Sequence, residues 1–306
     1  MPRLRRNIYR FLGVFLLGLL CLSCESVHSP GPGQQTETKR DILGLRGPVR
    51  SLSIFRAGLV KQGEKWESQT ELPIRTDRFD RRGNLTERLS YDPAGMLHER
   101  AVVLYDARTN ERAVLRYGPE NSLSGRVVSS YAEHGASAES RSYSVGDVLT
   151  ERVVFQYDAN GRETESRTYQ PGGELKSRTT SRYDVQGNIE EQSWYDAADT
   201  LVKKVVYHRD FQGTLVTRVS FVYATNSRLS ERTDVHFNNN GDPTERIVYV
   251  DDGRRRHTEM FTYRYDAFGN WTTQTVKRQV VNKNASYFRP TRIIFRVFEY
   301  YERGGT

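Results

Sequence analysis

The sequence predicts an all-β protein: a long antiparallel meander of about 16 to 18 strands, built from 26-residue units of two hairpins each. Three observations carry this. Read in alternating steps of 12 and 14, the chain gives Phe79, Tyr91, Tyr105, Tyr117, Tyr131, Tyr143, Tyr157, Tyr169, Tyr183, Tyr195, Arg209 and Phe221, and only Arg209 breaks the aromatic series. Between these anchors lie short Val-, Thr- and Tyr-rich segments such as Leu97 to Tyr105 (LHERAVVLY) and Leu149 to Tyr157 (LTERVVFQY), which have strand composition. The punctuation is Asp-x-x-Gly, as in Asp80 to Gly83, Asp158 to Gly161, Asp184 to Gly187 and Asp266 to Gly269. Asp can accept from the backbone two residues on and Gly can take φ > 0, so this spacing suits a tight hairpin loop.

Taken in order, the chain opens on a leader. Residues 1–23 combine Arg3, Arg5, Arg6 and Arg10 with the apolar run from Phe11 to Leu22, the pattern of a secretory signal that is removed rather than folded. Its end, Cys21-Leu22-Ser23-Cys24, resembles a bacterial lipobox with Cys21 in the place Leu usually holds; the resemblance implies acylation of Cys24 and an anchor on an envelope membrane. Residues 24–41 are rich in Ser, Pro, Gly, Gln and Thr and read as a disordered tether. Residues 42–306 then form one repeat domain. The net charge is +8, but the four leader arginines account for half of it, which removes half the support for nucleic acid, and no nucleic-acid partner is expected. Cys21 and Cys24 are the only cysteines, so no disulfide framework is expected.

Within the domain, each anchor should face the residue six positions later across its turn. Behind Tyr91, Tyr117, Tyr143, Tyr169 and Tyr195 that residue is always Leu: Leu97, Leu123, Leu149, Leu175 and Leu201. At the other set of turns it varies, so the two rims of the sheet are expected to differ, with the Tyr/Leu rim packed or covered and all anchors on one face. Mid-strand positions such as Arg152, Glu163, Arg178, Thr179 and Glu191 are polar, so much of the sheet should be solvated on at least one face. The 12/14 alternation shears the pairs steadily, which predicts a sheet twisted and curled into an open half-pipe or spiral shell. The ends, Leu43 to Leu52 and Tyr265 to Tyr301, depart from the repeat as solenoid caps do.

The recurring Tyr157-Asp158 to Gly161, Tyr183-Asp184 to Gly187-Asn188 and Tyr265-Asp266 to Gly269-Asn270 resemble the YD repeat of Rhs-type bacterial surface proteins. The end segments are similar to those of bacterial Rhs-repeat lipoproteins, which open with Gly-Leu-Lys/Arg-Gly-x-Val-Lys-Ser and close with Tyr-Asp-x-x-Gly-Asn-Trp-Thr and Tyr-Tyr; here these are Gly44 to Ser51, Tyr265 to Thr272 and Tyr300-Tyr301. In large Rhs toxins such repeats form a shell around a toxin domain. The resemblance implies a fold and an envelope setting, and no activity.

Chemistry is sparse. The six histidines lack metal-ligand spacing, no nucleophile elbow or phosphate loop is present, and no cofactor is expected. Carboxylate pairs such as Glu190/Glu191 come with charged strand faces, which leaves a glycan hydrolase as a remote reading. Asp158 to Gly161 and Asn238 to Asp242 offer oxygen ligands but only fragments of a calcium loop. Candidate contacts for a ligand are Trp66, Trp194 and Trp271, which can stack on sugars, and the turn cluster Arg254, Arg255 and Arg256, which can meet an anion. The expected function is non-enzymatic binding of glycan, peptidoglycan or protein by an exported, lipid-anchored protein at the periplasmic face or the cell surface. The alternative is a scaffold subunit of an envelope complex.

Overall fold

The computed structural model describes residues 39–106, 111–131, 137–282 and 285–302. The leader, most of the tether and Cys24 lie outside the described residues. After a single helical turn, α1 (Lys39–Ile42), every element is a strand: β1 (Val49–Gln62), β2 (Lys65–Ser68), β3 (Leu72–Phe79), β4 (Leu85–Tyr91), β5 (Leu97–Asp106), β6 (Glu111–Tyr117), β7 (Leu123–Tyr131), β8 (Ser137–Ser144), β9 (Leu149–Tyr157) and β10 (Glu163–Tyr169). The second half continues with β11 (Leu175–Tyr183), β12 (Ile189–Asp196), β13 (Leu201–Arg209), β14 (Leu215–Tyr223), β15 (Leu229–Phe237), β16 (Pro243–Val250), β17 (Arg255–Tyr265), β18 (Trp271–Val281) and β19 (Ser286–Tyr300). The meander is as expected, with 19 strands in one antiparallel sheet.

The turns work as their residues dictate. At Asp158 the carboxylate Oδ1 accepts from the amides of Asn160 and Arg162, both at 2.9 Å, and Gly161 takes φ 76°. Asp184, Asp196, Asp210, Asn238 and Asp266 repeat this arrangement. Tyr157 then faces Glu163, but the next paired residues are Gln156 and Glu165, so a β-bulge follows the turn. Similar bulges recur after Tyr91, Tyr117, Tyr143, Tyr169 and Tyr195.

These bulges correct the expectation that all anchors share a face. Phe155 is directly opposite Ser166, so Tyr157 lies on the face of Ser166 while Tyr169, three residues on, lies on the other. Anchors at one rim therefore belong to one face and those at the other rim to the opposite face. The best-buried rim pair is also not a Tyr/Leu pair: Phe79 and Leu85, each 3% exposed, form a cluster with Leu45, Val49 and Leu52.

The sheet is not an open half-pipe or spiral shell. β1 pairs with β3 on one side and with β19 on the other, from Val49↔Tyr300 to Gly58↔Arg292, so eighteen strands close into a barrel and β2 forms a side hairpin with the end of β1. The shear read from the 12/14 steps is real, but it persists around a perimeter of roughly 85 Å, at about 4.8 Å per strand, until the ends meet. The supposed caps are the two sides of this seam. Asn270 Oδ1 accepts from the Arg46 amide (2.8 Å), its Nδ2 donates to the Arg46 carbonyl (2.7 Å), and the Tyr301 amide donates to the Pro48 carbonyl (2.8 Å). Gly47 (φ 78°) lies against the Phe268 ring, where a Cβ would come within 2.6 Å of it.

Candidate functional site

Pairing registers sort every strand residue onto one of two faces. One carries Arg75, Asp77, Arg88, Val153, Trp194, Lys203, Val205, Tyr207, Arg218, Tyr263 and Arg296. On this face burial shifts protonation: it lowers Arg75, Lys203 and Arg296 and raises Tyr207 and Tyr263. The other face holds Glu87, Arg141, Glu191 and Arg232, where ion pairs with neighbours set the shifts of Arg141 and Arg232 and outweigh burial at Glu87 and Glu191. Leu45 packs on the first face, against Leu52 and Phe79. The first face is therefore the inner wall of the barrel, and the second faces outward.

Neither face suits lipid. Arg141, Arg167, Arg178 and Lys204 stand mid-strand outside and Arg88, Glu151 and Lys203 inside, whereas a membrane-facing wall excludes such charges at a cost of roughly 2–4 kcal/mol for each Arg or Lys. No helix among the described residues is long and apolar enough to cross a membrane.

The inner wall changes character around the ring. Across β7 to β11 it presents hydroxyls: Ser129, Ser140 and Ser142, then Ser166 and Thr168, then Ser177, Thr179 and Ser181. The Oγ atoms of Ser129 and Ser140 lie 3.1 Å apart. Across β12 to β15 it becomes aromatic and basic. The Lys203 ammonium lies 4.7 Å from the Trp194 ring centre, and the Arg218 guanidinium 5.9 Å from that of Phe237. Tyr207 donates to Gln192 Oε1 at 3.0 Å. Burial, with Arg218 beside it, holds Lys203 below the usual lysine range. The Nε atoms of Arg209 and Arg218 are buried with no hydrogen-bond acceptor among the described residues. An aromatic platform, cationic donors and hydroxyls thus share one surface.

The three tryptophans are not brought together. Trp194 belongs to this inner surface. Trp271 is on the inner wall at the seam, 5.8 Å from the Tyr263 ring and beneath Arg296 at 3.6 Å, so it is packed. Trp66, 37% exposed, sits on the β1–β2 side hairpin. The turn arginines are partly committed: Arg254 to Asp252 and Arg256 to Glu231 at 3.0 Å, with Arg255 exposed. Among the described residues no group of three or more His, Cys, Asp or Glu is placed to hold a metal.

Sequence reasoning missed a second periodic feature, on the outer face. Three residues after the rim leucines stand Arg100, Arg126, Arg152 and Arg178, and each guanidinium lies over the Tyr 17 residues on: Tyr117 (5.5 Å), Tyr143 (4.3 Å), Tyr169 (5.0 Å) and Tyr195 (4.2 Å). What covers the Tyr/Leu rim is thus an arginine ladder. Asn121, Asp147 and Asp199 bond Arg100 (3.1 Å), Arg126 (3.0 Å) and Arg178 (2.6 Å), and all three adopt positive φ at the turn position where other repeats have Gly. Where Gly173 takes that place, Arg152 makes no ion pair among the described residues. The signal was legible as Leu-x-x-Arg at the same 26-residue period.

No protein-family model and no curated protein matches the chain. Among solved structures, it is similar to a porin-like protein from Bacteroides uniformis (11% identity, TM-score 0.43, covering 83% of this chain and 98% of that one). It is also similar to a putative outer membrane lipoprotein-sorting protein domain from Vibrio parahaemolyticus (11% identity, TM-score 0.24, 84% and 86%). A third is the Photorhabdus luminescens Tc holotoxin pore (9% identity, TM-score 0.15, 78% and 21%). All three TM-scores are too low to define a shared fold.

Proposed function

We propose that this is an exported protein, held at an envelope membrane by a lipid on Cys24, that binds a glycan, peptidoglycan or protein ligand without transforming it. The observation that carries the reading is the inner surface from β8 to β15, where hydroxyls adjoin Trp194, Lys203, Tyr207 and Arg218. The leader and the resemblance to Rhs-repeat lipoproteins support the envelope setting. Binding of envelope glycans to the detergent-purified mature protein tests it. Trp194→Ala is expected to weaken binding about five- to thirtyfold, since stacking and cation contacts of this kind are worth ~1–2 kcal/mol, while Trp66→Ala leaves it unchanged. Loss of binding in Trp66→Ala alone would sink the inner-surface reading.

A second reading, a scaffold subunit, draws on exposed Val60, Trp66, Val281 and Tyr287, which lie on the β1–β2 and β18–β19 hairpins beyond the paired ring. It predicts one stoichiometric protein partner, no glycan signal and sensitivity to Trp66→Ala.

A further inference from the structure

Two ribbons leave the barrel at one rim. β1 pairs with β3 as far as Arg56↔Leu72 and with β19 as far as Gly58↔Arg292; past these rungs it continues as a ribbon with β2, from Leu59↔Ser68 to Gln62↔Lys65. On the other side of the seam β18 loses its partner β17 after Arg278↔Glu259. β18 and β19 then run on as a second ribbon through Gln279↔Phe288, Val280↔Tyr287 and Val281↔Ser286. Because β1 and β19 are neighbours, the ribbons start side by side. They lie at the rim opposite α1, whose Arg40 amide donates to the Gly83 carbonyl (3.1 Å).

The second ribbon is layered. Nearest its tip it is apolar: Val281 is 72% exposed and Tyr287 50%, with Val280 directly opposite Tyr287. Two residues further back on the same face, roughly 7 Å away, Arg278 is directly opposite Arg289, and both are exposed. Lys277 adds a charge on the other face. Like charges directly opposite one another destabilise a ribbon. Elsewhere in the sheet a carboxylate relieves them, as where Arg167 faces Arg178 and Glu165 reaches both, at 2.5 and 3.3 Å. Here none does. Glu259 is opposite Arg278 across β17, but it is held by Arg246 at 2.7 Å and lies 3.7 Å from Arg292, and Lys277, Arg278 and Arg289 make no ion pair among the described residues. Between Asp266 and Glu299 the sequence has six basic residues and no acidic one. The first ribbon adds Val60 and Trp66, with Lys61 and Lys65 balanced by Glu64 and Glu67.

We propose that the β18–β19 ribbon, with Trp66 beside it, seats the barrel end-on against the surface of an anionic phospholipid bilayer. Val280, Val281 and Tyr287 enter the boundary between headgroups and acyl chains, where Trp and Tyr also partition, and Lys277, Arg278 and Arg289 come level with the anionic headgroups. Lys283, in the intervening turn by sequence, has a stem long enough to return its charge to that level. An acidic peptide or a nucleic acid would meet the arginines but offer the valines no apolar phase. The wall itself stays in water, as its charged faces require. The inference does not rest on acylation of Cys24, and the two are compatible: residues 24–38 can extend to about 50 Å, against about 30 Å for a nine-residue strand.

The test is flotation of the mature protein carrying Cys24→Ser, which leaves no site for acylation, with vesicles of phosphatidylcholine alone and of phosphatidylcholine mixed with phosphatidylglycerol. Flotation with the mixed vesicles, lost in high salt, is expected, with little on phosphatidylcholine alone. Arg278→Gln and Arg289→Gln should each weaken it about fivefold, and Val281→Asp with Tyr287→Ser about tenfold or more. Arg278→Lys with Arg289→Lys should keep it, because attraction to headgroups needs the charge and not the guanidinium fork. These positions lie beyond the closed ring, so Tm should stay at the parent's value, which separates a lost contact from a lost fold. Arg254→Gln, in a turn of the same rim, and Trp194→Ala should leave flotation unchanged. A ribbon whose charges only keep its open edge from pairing with other chains would not float with either vesicle. That result, equal flotation with both vesicles, or flotation that the ribbon variants leave intact would overturn the proposal. Binding to polyglutamate or DNA in place of the mixed vesicles would also overturn it and assign the ribbon to an acidic macromolecule.

Discussion

Two single residues carry measurable consequences. Glu163 stands at the rim on the inner wall, opposite Tyr157, where burial holds its proton up to about 7 and a bond from Ser166 opposes this only in part. The unfolded chain ionises this group near 4.5. This contribution to stability is complete below pH 4.5, falls as pH rises towards 7, and stays low above it, a loss on the order of 3 kcal/mol. Glu163→Gln should flatten that segment of a stability-against-pH curve and raise Tm at pH 8; an unchanged slope between pH 4.5 and 7 would refute the burial argument. The second residue is Ser227, whose φ is 61° in a turn where other repeats have Gly. Ser227→Gly should stabilise by about 0.5–1 kcal/mol by relieving left-handed strain. Asp199 has the same strain at φ 60° but bonds Arg178, so Asp199→Gly should give no such gain in denaturant unfolding.

At the scale of the element, the hairpin is a module that holds itself together without a thick core. Its turn closes through an Asp carboxylate, its bulge re-aims the strand, and its arginine reaches over a Tyr and, in three repeats, back to a turn residue two strands away. A double-mutant cycle for Arg178→Ala and Tyr195→Ala should give a coupling of about 0.5–1 kcal/mol. The Arg152/Tyr169 cycle, whose arginine lacks the turn carboxylate, should show the weaker salt dependence when both are measured in 0.05 and 0.5 M salt. Strand limits, turns and the Tyr/Leu pairing were legible in the sequence because each rests on residues within six positions of one another. The bulge was not. It adds one residue after a turn whose own spacing is unchanged, so Tyr157 and Tyr169 look equivalent in sequence while facing opposite ways. Trp194 was legible as a sugar-stacking type but not as a partner of Lys203, because that contact depends on register.

For the whole molecule, closure is the property that local patterns cannot contain. Shear read from the 12/14 steps announces curvature, but whether a curved sheet shuts depends on strand number and on segments that pair over the full length of the domain. The seam supplies those segments. Ser53 is opposite Val297 and Phe55 opposite Phe295, in the middle of a run that joins strands far apart in sequence. Asn270 bonds Arg46 through both ends of its amide, and the Tyr301 hydroxyl donates to the Phe79 carbonyl at 2.6 Å. A closed ring also leaves no edge in its wall, which matters for a long meander of otherwise open strands. Ser53→Cys with Val297→Cys in the mature protein tests closure directly. Directly opposed β-residues lie within disulfide range, so the pair should oxidise readily. Because the bond would close a loop of about 240 residues, chain entropy predicts a stabilisation on the order of 5 kcal/mol. In an open shell the same cysteines would be at opposite ends of the sheet and stay reduced. The ladder of outer arginines would survive that outcome, since it needs only neighbouring hairpins. The inner wall would not, because Trp194, Lys203 and the Asp77–Arg88 ion pair are enclosed only while β1 and β19 remain paired.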